Sequence, residues 1–180
     1  MVKRHNGKQI VKIQMEKYQI TIKNHLRNCS TIFYGTLACI SFPFLFLQFK
    51  DGDINSLSWI SVIMFGVVVL PAIVIHVSYY LANKGDIIYY DFQNQQITIK
   101  HDGVVKIFNV DEIDNVKRFM SFNLAASRAT VMPFDEYNHS IIYLKTGEKF
   151  TITSLIVPNL NLPIEPGKVL IKESFYRFVS

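Results

Sequence analysis

Two long apolar runs without a formal charge constrain this chain more than anything else in it. Ser30–Phe49 carries no charged side chain in 20 residues, and Leu57–Leu81 carries none in 25. A helix that crosses a bilayer needs about 20 predominantly apolar residues, so both runs are long enough, the second with room to tilt. Each contains one proline, Pro43 and Pro71. Such a residue breaks a helix in water but only kinks one in lipid, where neighbouring groups re-satisfy the freed carbonyl. Trp59 opens the second run, and Tyr79 and Tyr80 close it, as expected of aromatic anchors at headgroup level. The connector, residues 50–56, reads KDGDINS. It holds a turn signal and is too short to fold alone, so the spans are expected to be antiparallel neighbours.

Charge sets the expected orientation. The net charge is +5, and it belongs to the tail: residues 1–29 contain Lys3, Arg4, Lys8, Lys12, Lys17, Lys23 and Arg27 against Glu16. The connector has Lys50, and Lys84 follows the second span. This Lys/Arg asymmetry predicts both termini in the cytoplasm and makes a nucleic-acid partner an unnecessary explanation of the basic tail. The two cysteines, Cys29 and Cys39, stand about 15 Å apart on one helix. They cannot form a disulfide and are expected to be small buried residues. His76, the one histidine inside a span, is expected near the cytoplasmic edge and neutral.

After residue 84 the pattern changes to the alternation of strands. Strands are expected at 87–92, 97–100, 104–109, 116–120, 140–145 and 149–153, with His101-Asp102-Gly103 and Thr146-Gly147-Glu148 as hairpin turns. Residues 12–23, ahead of the first span, read as a further strand that needs a partner from the cytoplasmic sheet, or alternatively as a basic amphipathic segment lying on anionic lipid. Val169–Val179 has apolar residues at Leu170, Ile171, Phe175 and Phe178, which predicts a short amphipathic helix at the end. The expected architecture is therefore a membrane α-helical hairpin plus a mostly-β, α+β cytoplasmic domain, a curled antiparallel sheet or small barrel with a C-terminal helix. The expected units are a basic segment 1–29, spans at 30–49 and 57–81 joined by an external turn 50–56, and a domain over 85–180.

This arrangement resembles the small bacterial membrane proteins that carry a pleckstrin-homology (PH)-like domain after two helices. The resemblance runs over residues 14–155. It lies in the hairpin, the stretch IIYYDFQNQQITIKHDGVVKIFNVDEIDNVKRF that follows it, and the later IIYLKTGEKFTI. It implies a multi-pass protein of the bacterial inner membrane and brings no catalytic residues with it. The phosphoinositide binding of eukaryotic PH domains is not implied, because the domain's charge is balanced and offers no basic cluster.

No nucleophile elbow, phosphate-binding loop, dinucleotide glycine box, HExxH or CxxC occurs in the sequence, and its five histidines lie at no metal-ligand spacing. No catalytic residue, metal or cofactor is expected. The candidate interaction surface is the soft apolar stretch of Phe119, Met120, Phe122, Leu124, Met132 and Phe134 with Arg128, since Met and Phe adapt to varied partners. The expected partners are the lipid bilayer and a protein, or a second copy of the chain. The function expected is that of a non-enzymatic, membrane-tethered interaction or assembly module. An immunity protein against a membrane-directed toxin is the alternative by analogy, and a small transporter component is a distant third.

Overall fold

The computed structural model describes residues 15–47, 54–158 and 164–179. The basic tail before residue 15, the end of the first apolar run with the first part of the connector (48–53), residues 159–163 and residue 180 lie outside the described residues.

The chain enters as strand β1 (Met15–Gln19) and turns at once into helix α1 (Ile22–Leu47). The helix starts two turns before the uncharged run, so Lys23, His25 and Arg27 are helical. The chain returns through α2 (Ile54–Met64), a π-helical turn (Phe65–Val69) and α3 (Leu70–Asn83). The π-turn sits directly before Pro71. A proline has no N–H to give the carbonyl four residues back, here that of Val67, and local widening of the helix is one way to accommodate it. Two helical stretches, Ile22–Leu45 and Leu57–Asn83, are long and apolar enough to cross a membrane.

Strands β2 (Ile87–Asp91), β3 (Gln96–His101) and β4 (Val104–Asn109) complete an antiparallel sheet in the order β1-β2-β3-β4. A 3-10 turn at Val110–Glu112, closed by a reciprocal Asn109–Glu112 capping box, leads into β5 (Ile113–Met120). With β6 (His139–Leu144), β7 (Lys149–Thr153) and β8 (Val169–Glu173), it forms a second sheet in the order β7-β6-β5-β8. In that sheet β8 runs parallel to β5. The β3–β4 hairpin turns at Asp102 and Gly103, both at positive φ (44° and 82°), the backbone that the His-Asp-Gly signal demands. His101 contacts the Asp86 carboxylate beside the end of α3, and that bond holds the imidazole above its ordinary value.

The inner faces of the sheets meet in one apolar core. Ile88, Tyr90, Ile97, Ile99 and Phe108 come from the first sheet, and Ile113, Val116, Ile142, Leu144 and Ile152 from the second. Each strand of the sequence reading has its counterpart in this sandwich, but the one expected at 12–23 is strand only over Met15–Gln19: residues 12–14 lie outside the described residues, and Ile22 and Lys23 already belong to α1. The terminal helix has no counterpart. Residues 169–173 are strand β8, and 174–179 follow as irregular chain. Leu170 and Ile171 are both exposed, so the helical face read from the periodicity has no surface to cover. Backbone pairing with β5 takes its place.

Candidate functional site

The first sheet determines where the helices stand. In the β1–β2 ladder Gln19 is paired with Ile87, so the chain leaves the sheet into α1 and re-enters it from α3 at one end of one strand pair. The helical pair is an insertion between two adjacent strands, with both feet on the same edge of the sandwich.

A second apolar cluster joins the helices to the sandwich. Ala72, Ile75 and Tyr79 of α3 pack on Phe134, Tyr137 and Leu155. The spacing of three and four residues puts all three on one face, while Ile73, Val74, Val77 and Leu81 remain exposed. Polar bonds pin the same junction. Buried Asn83 receives the Thr153 amide at 2.9 Å and donates to the Thr151 carbonyl at 2.8 Å. Asn24 of α1 donates to the Leu155 carbonyl at 2.8 Å.

The surface proposed from sequence divides in two. Met120 and Phe134 are buried, and Phe119 stacks flat on His139; these three are packing residues. Phe122, Leu124, Arg128 and Met132 lie on the short helix α4 (Phe122–Ala125) and the loop after it, with Phe122, Arg128 and Met132 open to the outside. Ser121 caps α4 by accepting from the Leu124 amide at 3.1 Å. The loop is tied by Asp135, whose carboxylate accepts from Asn123 at 3.0 Å and from the amides of Val131 and Met132 at 3.1 Å. Burial alone raises that carboxyl, but the three bonds, with Arg177 nearby, hold it below its ordinary value.

Arg177, which sequence reading passed over, organises the site. It is 1% exposed and donates to the carbonyls of Phe134, Tyr137 at 2.7 Å, Ser174 at 2.8 Å and Phe175 at 2.9 Å. It thereby ties the C-terminal segment to the loop. Its neighbour Tyr176 donates its hydroxyl to the Val67 carbonyl at 3.2 Å, the group that Pro71 leaves without an α-helical donor.

The loop also docks on α1. Thr31 donates to the Pro133 carbonyl at 3.1 Å, and a Cβ on Gly35 would stand 2.6 Å from Pro133 Cγ. Between them lies a cleft of about 430 Å³, lined by Tyr34, Ala38, Met64, Met132 and Glu136 among others.

Of the three aromatics expected at headgroup level, Trp59 is exposed. Tyr79 is not: it is fully buried against the domain, its hydroxyl 3.0 Å from His139 Nδ1, so it cannot sit among headgroups. Tyr80 lies half-buried beside the His25 ring. His76 is half-buried and engaged by protein groups. Its Nδ1 lies 2.8 Å from the Tyr137 hydroxyl and its Nε2 lies 3.1 Å from His25 Nδ1. Cys29, expected to be buried, is exposed with Sγ 3.8 Å from His76 Nε2. Among the described residues no group of three or more His, Cys, Asp or Glu is placed to hold a metal ion.

A family model described as PH domain matches residues 17–163, from within β1 through both helices and the strands up to β7. The chain belongs to the PH domain family. Neither a curated protein nor a solved structure gives a significant match. A PH domain is an interaction module for proteins or lipids, and this one carries its helical pair inside the matched region.

Proposed function

We propose that this PH domain is a non-enzymatic module anchored in the bacterial inner membrane by its two helices, with both termini in the cytoplasm, and that it holds a protein partner at the membrane face. One observation carries the reading. The Gln19–Ile87 pairing plants both helices on one edge of the sandwich, so a bilayer crossed by the pair receives the domain in a fixed pose. The exposed apolar residues along the helices, such as Phe33, Leu37, Ile40, Trp59, Val62 and Ile63, are the surface that lipid would cover.

The register leaves a face for the partner. Ile88, Tyr90, Ile97, Ile99 and Phe108 point into the core, so Val105 and Ile107 fall on the outer face of β4, the end strand of its sheet. Both are exposed, as is Val104. An apolar end strand is a ready surface for an added segment.

The test uses the full chain in its native membrane. The protein should stay with the membrane through alkaline extraction, and a photocrosslinker at Ile107 should give one discrete protein adduct that Val105→Asp removes. Release by alkali would overturn the anchor. A retained protein with no adduct would overturn the partner-holding role.

A further inference from the structure

We infer that one flank of the PH domain, the 121–134 loop with the C-terminal segment 174–179, is seated inside the bilayer against phospholipid acyl chains. This rests on the membrane-anchor reading above.

The length of the second helix requires this depth. The second apolar helix, Leu57–Asn83, has 27 residues. It is about 40 Å long at 1.5 Å per residue, about 10 Å more than a hydrocarbon core of about 30 Å. Suppose the whole surplus stands on the domain side. Roughly seven residues then leave the core, and Val67 still lies about 14 Å within it. Yet Tyr176 is hydrogen-bonded to the Val67 carbonyl, and the cleft between loop and helices reaches Met64 and Ala38. Tilting the helix spends the surplus and draws the contact deeper. With the hydrocarbon core starting at Leu57 or nearer the domain, every placement of a bilayer around this helix takes in the Tyr176–Val67 contact.

The composition of the flank agrees. Val131 is 77% exposed and Phe122 54%; Met132, Phe175 and Phe178 are also exposed. Lipid accepts irregular backbone only where its polar groups are already satisfied. Here Arg177 occupies the carbonyls of Phe134, Tyr137, Ser174 and Phe175, and Asp135 occupies the amides of Val131 and Met132. Arg177 and Asp135 are buried in protein, which is where a charge at this depth has to be, whereas Arg128 on the same loop is exposed and has to extend its guanidinium to the headgroups. The half-buried Glu136 lines the cleft beside Thr31 and Tyr34. Of the stretch read from sequence as an interaction surface, the open apolar residues Phe122 and Met132 thus face the lipid.

The chain has a single tryptophan, Trp59, which makes the test direct. Three single-tryptophan variants, Val131→Trp, Phe178→Trp and Phe92→Trp, are made in a Trp59→Phe background. They and the parent chain are reconstituted into phosphatidylcholine–phosphatidylglycerol vesicles, with and without bromine on the acyl chains. Phe92 is exposed just past the end of β2 that lies away from the helices. Bromolipid should quench tryptophan at 131 and 178 as strongly as it quenches Trp59, and leave tryptophan at 92 bright. If 131 and 178 stay as bright as 92 while Trp59 is quenched, the anchor stands and the buried flank is wrong. If Trp59 itself is not quenched, the anchor reading fails and this inference with it.

Discussion

At the scale of single residues, two buried groups without obvious roles hold the junction. Arg177 satisfies four carbonyls from one guanidinium, a fan that only a planar five-donor group can spread. Arg177→Met keeps the length and removes every donor, leaving buried carbonyls unpaired. A loss on the order of 3 kcal/mol is expected, read as a lower melting temperature in detergent, and Arg177→Lys should recover only a small part of it. His139 gives a pH signature. Burial, with Arg177 nearby, lowers its imidazole to about 4, whereas in the unfolded chain it titrates near 6.5. The folded state thus binds fewer protons, so stability is complete above pH 6.5 and falls as pH drops from there toward 4. At pH 5 the loss relative to pH 8 should be about 2 kcal/mol. His139→Gln should remove that part of the slope in parallel denaturation curves; an unchanged slope would mean that His139 is protonated in the folded protein.

At the scale of elements, the chain separates what local pattern specifies from what only packing can. The strands were legible because each alternates and is bounded by turn residues, as at Asp102-Gly103. The apolar helices were legible from length and lack of charge. The C-terminal helix was misread because Leu170, Ile171, Phe175 and Phe178 suit a helical face as well as an edge strand followed by an irregular segment. The choice was made by β5, more than 50 residues earlier in the chain. Tyr79 was misread for a related reason: a tyrosine at a span's end looks like an anchor until a sandwich is seen to pack on it. Nothing local marks Arg177 as a buried hub, since its partners are carbonyls. The two helical glycines show the same division. A Cβ on Gly35 would stand 2.6 Å from Pro133, while one on Gly66 meets nothing within 4 Å. Gly35→Ala should therefore push the loop off α1 and cost about 1–3 kcal/mol. Gly66→Ala should be neutral or stabilising by up to ~1 kcal/mol. Thermal unfolding of the pair decides it, and equal effects would mean that the loop does not dock on α1.

At the scale of the molecule, the insertion of the helices between paired strands makes the sandwich separable in principle. Gln19 and Ile87 face each other, so residues 20–86 can be replaced by Asn-Gly, the two-residue turn that suits an antiparallel pair. No buried residue of the main core comes from the helices; only half-buried Ile20 is lost from its margin. The excised domain should keep its β-sheet circular dichroism and unfold cooperatively. It should not, however, behave as a well-dispersed soluble protein. Excision uncovers Phe134, Tyr137 and Leu155 and takes from Thr151 and Thr153 their bonds to Asn83. An apolar patch next to unpaired backbone groups is a surface that self-associates. Size-exclusion chromatography should show oligomers, and Leu155→Asn in the excised form should shift them toward monomer. A monomer without that change would mean the seam closes on itself and the helices are a detachable element. Loss of the sheet signal would mean the opposite, that the sandwich folds only against α3, so that helices and sandwich are one cooperative unit.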